Sequence, residues 1–330
     1  MLKPICALAK SLWFVAPFVV PATAHAWGER GHSAIDIAAI EALPEDGPVF
    51  LRDNLATIAG ASTAPDKWRG SSEPFSKIAE DPNHTWFIER LRFLDPVPRS
   101  RYAFVLALYR EHQAVAAEDP KAAERLNVRW TGTMPYAIAE GYGRIVSAMR
   151  EYRRLRDAGQ DTGRIEQTIA FYTAWMGHYV GDAANPMHVS IHCEGWVGPN
   201  PNGYATDGEV HGRFESQFVD AIGLTPENLS GRISAPSRQN GDLFDAVLDY
   251  IAESNSHVEA IFRFDKNGAL HNRDEEAREY TYDRAAFGAG MLRDLLYRAW
   301  LESAAQGNGP HRPQDPDAPG YDPETGTAPA

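Results

Sequence analysis

Histidines and acidic residues recur in this sequence at a spacing that suits metal binding. His178 and Asp182 are four residues apart, and His211 and Glu215 repeat that spacing further along the chain. A helix presents side chains four apart on one face, so each pair can offer two ligands to one ion. A lone pair of this kind is more often structural. The repetition, together with His188 six residues after Asp182, indicates a metal centre.

The amino-terminal segment has the pattern of an export signal. Lys3 and Lys10 form a basic leader, residues 11–20 are mostly apolar, and residues 24–26 read Ala-His-Ala before a cleavage point. The apolar run is too short and too interrupted by proline to make a stable membrane anchor, although a retained anchor is the alternative. We therefore expect residues 1–26 to be removed, with no stable membrane insertion and a secreted or periplasmic protein.

Cleavage after residue 26 would turn the backbone amine of Trp27 into a potential metal ligand, five residues before His32. It would also remove Cys6, leaving Cys193 as the one cysteine and excluding an intrachain disulfide. Stability would then come from the core and from bound metal. The formal charge of −13 weakens any claim of tight binding to duplex DNA, but it does not exclude an enzyme whose positive charge is carried by metal ions in a cleft.

Apolar residues recur three and four apart along most of the mature chain, which predicts an all-α protein. We expect a single-domain multi-helix bundle over residues 27–305, with ligands projecting from facing helices. The Pro/Gly/Asp-rich residues 306–330 are expected to form a disordered tail. The predicted helices span residues 33–43, 49–58, 102–117, 136–158, 164–182, 212–222, 242–261 and 283–304.

Three segments resemble the S1/P1 nuclease and zinc-dependent phospholipase C superfamily, whose members hold three zinc ions in a cleft of an α-helical fold. The segments are WGERGH at 27–32, HYVGDAANPMH at 178–188 and HGRFESQFVD at 211–220. The similarity can be followed from residue 27 to about residue 220. Beyond that point only the helical character agrees.

The resemblance implies a trinuclear zinc cleft built from nitrogen and oxygen donors, with Asp182 as a bridging carboxylate. The implied ligands are Asp66, His84, His178 and Asp182 for one ion, His188, His211 and Glu215 for a second, and the Trp27 amine and carbonyl, His32 and the other oxygen of Asp182 for a third. Manganese or cobalt in place of zinc stays open from the sequence.

The resemblance also implies catalytic roles for Asp66 and Arg69. The nuclease branch has an Asp-x-x-Arg pattern here, in which the carboxylate orients or deprotonates water and the guanidinium holds phosphate. The alternative is that Arg69 forms an ordinary surface ion pair.

Residues of this chain match features of both branches of the superfamily, and the branch decides the expected substrate. The nuclease branch is favoured by the step from Trp27 to His32, by the Asp66-x-x-Arg69 pair and by the want of an obvious C-terminal lipid-binding domain. Glu215 favours the phospholipases, because typical nucleases carry Asp there.

We therefore expect a monomeric zinc-dependent phosphodiesterase, a hydrolase of the endonuclease type that cuts single-stranded DNA or RNA, and 3′-nucleotides, to 5′-phosphorylated products. A phospholipase C that cleaves phospholipid headgroups is the alternative. A zinc-binding protein with no hydrolytic role is also open.

Three aromatic residues could stack a base of a nucleic acid. Trp86 follows the position where the nuclease branch has its stacking aromatic, and Trp196 and Tyr204 lie in the Gly/Pro/Asn-rich loop at 194–208. Aromatics at such positions are more often part of a core. His192 and Cys193 are expected to be ordinary residues at the edge of the loop.

Overall fold

A computed structural model describes residues 27–237 and 241–305. The expected signal segment at 1–26 and the expected tail at 306–330 lie outside the described residues. Within the described ranges the regular secondary structure is helical throughout, and one isolated bridge pairs Trp86 with Gly132. The prediction of an all-α protein is therefore confirmed.

Sixteen α-helices are present in the described residues, and none of them is long and apolar enough to cross a membrane. In chain order they are α1 (Gly28–Glu41), α2 (Leu55–Ala61), α3 (Ala64–Arg69), α4 (Pro74–Glu80), α5 (Arg101–Ala116), α6 (Pro120–Ala123), α7 (Val128–Thr131), α8 (Met134–Asp157), α9 (Gly163–Ala184), α10 (Glu209–Gly212), α11 (Val219–Ile222), α12 (Pro226–Ser230), α13 (Leu243–Asn255), α14 (Val258–Lys266), α15 (Ala269–Asn272) and α16 (Glu275–Ser303). Short 3₁₀ turns span Val49–Asn54, Asp81–His84, Ile88–Arg90, Pro186–His188 and Ile191–Glu194, and a π-helical segment spans Arg213–Phe218.

The long predicted helices agree with α5, α8 and α9 to within three residues at each end. The helix predicted at 242–261 is instead two helices, because the chain turns at residues 256–257, where the amide of His257 bonds to the carbonyl of Ser254. The helix predicted at 49–58 begins as a 3₁₀ turn, and the one at 212–222 contains the π-helical segment.

Helix α9 is the central element of the bundle. It packs against α1, α2, α8 and α16, and nearly every residue from Ile169 to Ala184 is buried. A helix buried on all sides must be apolar or have its polar groups paired. The carboxyl-terminal half of α9 nevertheless carries His178 and Asp182, both fully buried.

Two glycines of α9 allow α1 to approach closely. A Cβ atom at Gly177 would lie 2.3 Å from Asp36 Oδ1, and one at Gly181 would lie 3.0 Å from His32 Nδ1. With hydrogen at both positions, the ring of His32 stacks on that of His178 at a centroid distance of 4.0 Å. The contact between α1 and α9 therefore sets the positions of two of the predicted ligands.

Candidate metal centre

Three groups of histidine and acidic side chains in the described part of the chain lie close enough to hold metal ions. Within each group, one nitrogen or oxygen atom per residue lies within 4.8 Å of the others. The groups are His32 with His178 and Asp182, Asp66 with His84 and His178, and His188 with His211 and Glu215. His178 belongs to two groups, so these two adjoin.

These side chains come from distant parts of the sequence. They are supplied by α1 (His32), α3 (Asp66), the turn at Asp81–His84 (His84), α9 (His178 and Asp182), the turn at Pro186–His188 (His188), α10 (His211) and the π-helical segment that follows it (Glu215). Every side chain named as a ligand from the sequence, apart from Trp27, belongs to one of the three groups.

Asp182 lies at the centre of the arrangement. Its Oδ2 atom is 3.0 Å from His84 Nδ1 and 3.5 Å from His178 Nε2, while its Oδ1 atom is 3.3 Å from His32 Nε2. Burial by itself would raise the pKa of Asp182, but the neighbouring histidines hold it well below its usual range. The carboxylate turns one oxygen to each of two sets of donors, which is what a bridging ligand requires.

Backbone carbonyls orient two of the imidazoles. The carbonyl of Ser62 accepts from His178 Nδ1 at 2.8 Å, and the carbonyl of His84 accepts from His188 Nδ1 at 2.7 Å. Since a carbonyl only accepts, each Nδ1 carries a hydrogen, and Nε2 is left as the atom that faces the cluster and can bind a metal when the ring is neutral. This is the arrangement that prepares histidine for metal binding.

In the third group, both histidines lie close to the carboxylate of Glu215. Its Oε2 atom lies 2.7 Å from His211 Nε2 and 3.1 Å from His188 Nε2. The segment that carries it, Arg213–Phe218, is π-helical, a conformation that is rare overall and frequent at functional sites. The sequence spacing of four between His211 and Glu215 thus does bring the two side chains together, although the backbone between them is not purely α-helical.

The surroundings of His188 and His178 shift the pKa values of the two rings in opposite directions. Burial opposes a charge on His188, but Asp182 and Glu215 raise its pKa to about 9. Burial and the neighbouring His32 lower the pKa of His178 to about 3. Burial would raise the pKa of Glu215, but His211 and His188 lower it to about 2. The space between His188 and Glu215 therefore favours positive charge.

Several buried donor atoms of the cluster make no hydrogen bond within the described structure. They are Nδ1 of His32, Nε2 of His84 and Oε1 of Glu215. Leaving a buried polar group unsatisfied costs roughly 1–3 kcal/mol. Divalent cations would satisfy these atoms, so the residues present fit the metal that the resemblance implies.

Trp27 is buried at the start of α1. Its backbone is left-handed, with a φ of 51°, and its indole Nε1 donates to the carbonyl of Gly181 at 2.7 Å. In the 330-residue chain its nitrogen is a peptide amide, whose lone pair is delocalised into the carbonyl. The indole therefore lies one residue from Asp182 in α9, while the amine ligand stays a prediction.

Arg69 lies at the edge of the cluster. Its Nη2 atom is 3.6 Å from Asp66 Oδ1, and its side chain is 22% exposed against 2% for Asp66. The amino group of Lys77 donates to its backbone carbonyl at 3.0 Å. The pair thus joins a buried carboxylate to a partly exposed guanidinium, unlike an ion pair between two exposed side chains.

A buried carboxylate behind the cluster was not predicted from the sequence. Glu80 accepts a hydrogen bond from the hydroxyl of Tyr179, and the Tyr179 ring packs edge-on against His84 at 5.6 Å and His178 at 5.5 Å. Burial and Glu80 raise the pKa of Tyr179, so its hydroxyl remains a donor. Neither residue stands at a ligand spacing, so no sequence pattern could have indicated this contact.

A second unpredicted network fixes the chain after His188. Glu89 accepts from the hydroxyl of Ser190 at 2.8 Å, from the amide of Ile191 at 3.1 Å and from the side-chain amide of Asn255 at 2.9 Å. Asn255 is 166 residues away from Glu89 in the chain. No local pattern could have indicated that contact.

The aromatic residues named for base stacking are largely part of the core. Trp86 is 3% exposed and its ring centroid lies 5.1 Å from that of Phe104. Tyr204 is 8% exposed, and Trp196 packs against both Tyr204 and Phe262. The core alternative therefore holds for Trp86 and Tyr204.

His192 and Cys193 do not belong to any of the three ligand groups in the described chain. His192 Nδ1 accepts from the amide of Val197 at 3.0 Å, and its ring stacks on Trp196 at 4.2 Å. Burial raises the pKa of the Cys193 thiol to about 12, which keeps it protonated and unreactive. Both residues have the ordinary role expected for them.

Comparisons with known proteins add little to this geometry. No family model matches the chain, and no curated protein matches it. A solved structure described as the alpha toxin from Clostridium absonum matches with 15% identity and a TM-score of 0.39, over 84% of this chain and 66% of that one. The chain thus spans just under two thirds of the toxin's length, and so remote a likeness carries no argument about activity.

Replacing Asp182 by Asn should remove more than one ion, because its two oxygens face different groups of donors. We expect a mature chain purified with zinc to hold about three ions by mass spectrometry of metals, and the variant to hold about one, with a lower melting temperature. The matched control is Asp220→Asn, at an exposed carboxylate that pairs with Arg30. Equal zinc content in wild type and Asp182→Asn would contradict the bridging role.

A chain that begins at Trp27 should bind one zinc ion more tightly than a chain that begins at Ala26. The extra residue turns the amine into an amide and so withdraws one ligand, while the side chains of the site are unchanged. Competition with a zinc chelator measures the difference, which we expect to be about tenfold or more in the dissociation constant of one ion. Indistinguishable competition curves would rule out the amine as a ligand.

Proposed function

We propose that this chain is a zinc-dependent hydrolase of phosphodiester bonds. The observation that supports it is the convergence of three ligand groups, two of them joined by His178 and all within reach of Asp182 or Glu215. Bound divalent ions would supply Lewis acidity and lower the pKa of a coordinated water to near 7. The rest of the chemistry falls to side chains of the protein.

The donor set favours zinc. Five imidazoles and three carboxylates make up the groups, and imidazole suits zinc and its transition-metal neighbours, whereas magnesium and calcium prefer oxygen alone. All of these ligands except His211 are buried, which strengthens each electrostatic contact.

Asp66 and Arg69 are proposed to act on the substrate and the attacking water. Asp66 is 1% exposed and can orient a water molecule through a carboxylate oxygen. Arg69 is held beside it at 3.6 Å and is the more exposed of the two, so its guanidinium can reach a phosphate that enters from solvent. The pair thereby links the buried donors to the surface.

Phospholipid headgroups are the substrate that we favour. A single-stranded polynucleotide needs aromatic platforms and a basic groove, whereas Trp86 is in the core, Tyr204 is nearly buried and the chain is strongly acidic. Glu215 is also the residue that resembles the phospholipases. A lipid phosphodiester needs neither aromatic platforms nor a basic groove, because the ions and Arg69 can hold its single phosphate.

Single-stranded nucleic acid is the second candidate. The pairing of Asp66 with Arg69, which the nuclease branch of the resemblance implies, is present in the structure at 3.6 Å. A 3′-nucleotide would require contacts to one base alone. Export of the chain, removal of residues 1–26 and a monomeric state are part of this proposal under either substrate.

The test of the proposal is a panel of substrates given to purified, zinc-loaded mature protein. Phosphatidylcholine, single-stranded DNA, RNA and bis-p-nitrophenyl phosphate are compared under one set of conditions. We expect hydrolysis of the activated diester and release of the phosphorylated headgroup, with polynucleotide cleavage slower. Cleavage of DNA or RNA without headgroup release would reverse the order of the two candidates. Bound zinc with no turnover of any substrate would indicate a structural metal protein.

Replacing Arg69 by Ala should lower kcat/KM for the activated diester by about a hundredfold, because a charged phosphate contact is lost in the transition state. Zinc content should remain at the wild-type level, since Arg69 is not a ligand. Arg30→Ala is the matched control: it breaks an exposed pair with Asp220 and should leave the rate unchanged. If the two variants have similar rates, Arg69 does not contact the phosphate and only forms an ordinary surface ion pair.

A further inference from the structure

Helix α4 exposes two large apolar side chains. Phe75 and Ile78 are 88% and 71% exposed, the highest values among the large hydrophobic residues of the described chain. They are three residues apart, so they project from the same side of the helix. Glu80 is the one buried residue of α4. The helix therefore turns its apolar side to solvent.

This helix is fixed against the metal centre. It packs on α3, which ends at Arg69, and on the turn at Asp81–His84. On its inner side Glu80 accepts from Tyr179, whose ring contacts two predicted ligands. Lys77, one turn before Glu80, donates to the carbonyl of Arg69 at 3.0 Å. Phe75 and Ile78 thus occupy a defined place near the rim where Arg69 meets solvent.

We propose that α4 is an interfacial anchor, which inserts Phe75 and Ile78 into the surface of a phospholipid layer and so brings Arg69 to the level of the headgroups. This inference rests on the proposed function, since the layer is both the binding surface and the source of substrate. It adds a surface contact that is separate from the metal ligands and from the residues that hold the phosphate.

The size of the apolar surface argues for lipid over a protein partner. A stable protein interface buries about 800 Å² on each side, and one aromatic side chain supplies only about 150–250 Å². Two neighbouring side chains fall well short of that area. A lipid layer sets no such minimum, because each apolar side chain that enters it contributes in proportion to its own area.

The charges around α4 indicate the kind of lipid surface to which it should bind. Lys67 and Lys77 are exposed on this edge, but Lys77 is paired with Asp81 at 3.2 Å and Glu73 precedes the helix. Positive charge is therefore not in excess. We expect binding to vesicles of phosphatidylcholine, without a need for anionic lipid and with little dependence on salt.

The test compares the double variant Phe75→Ser/Ile78→Ser with a matched pair on α5, Val105→Ser/Tyr109→Ser. The α5 residues are 40% and 57% exposed and belong to a helix that carries no predicted ligand. Co-sedimentation of zinc-loaded protein with phosphatidylcholine vesicles gives the affinity. Hydrolysis of bis-p-nitrophenyl phosphate reports on the metal centre, and the melting temperature reports on folding.

We expect the α4 variant to bind vesicles about tenfold or more weakly than wild type, since burial of one large apolar side chain is worth about a decade in affinity. Its rate on the soluble diester should stay at the wild-type level, and the α5 variant should match wild type in both assays. Equal vesicle binding by the α4 variant and wild type, or no binding by wild type, would overturn the anchor.

The two proposals fail in different ways. If wild type binds vesicles through α4 but releases no headgroup, phospholipid is wrong as the proposed substrate and the anchor stands. If wild type releases headgroups and the α4 variant releases them equally fast from vesicles, the anchor is wrong and the proposed function stands.

Discussion

The structure depends on one costly placement, an ionised carboxylate in the middle of the protein. Asp182 is fully buried on a central helix, where an unpaired charge would cost several kcal/mol. Its neighbours offset that cost: three imidazole nitrogens lie within 3.5 Å of its two oxygens. The rings around it must themselves be held: the carbonyl of Ser62 orients the ring of His178, and the carbonyl of His84 orients that of the neighbouring His188. The bundle is arranged around this requirement.

Residues that are not ligands themselves therefore fix the positions of the ligand side chains. The glycines of α9 let α1 come close enough for His32 to stack on His178. Glu89 ties the segment after His188 to Asn255 on α13, and Glu80 ties α4 to Tyr179 on α9. Each of these contacts crosses between elements that are distant in sequence. Rigid support of this kind is what a multi-ion site needs to keep its ligands in place.

The sequence predicted the helical class and the approach of the ligands more successfully than it predicted their support. His178 with Asp182, and His211 with Glu215, are visible because helical winding places residues four apart on one face. Asp66 and His84 could be named as ligands only from the resemblance to the superfamily, because no local spacing connects them to the ligands of α9. The roles of Glu80, Glu89 and Asn255 depend on tertiary contacts, and such contacts produce no regular spacing of residues in the sequence. The aromatic residues near His84 were ambiguous because a stacking platform and a core residue have the same composition, and burial decides between them.

The π-helical segment at Arg213–Phe218 bears on how related chains should be compared. Such segments accommodate one more residue per turn than the flanking α-helix, and a single-residue deletion within it would rotate the following residues by about 100°. A comparison that allows no gap between His211 and residue 222 would therefore match side chains that point in different directions. Alignments of this region should be anchored on the carboxylate that faces His188, and should let the count of intervening residues vary.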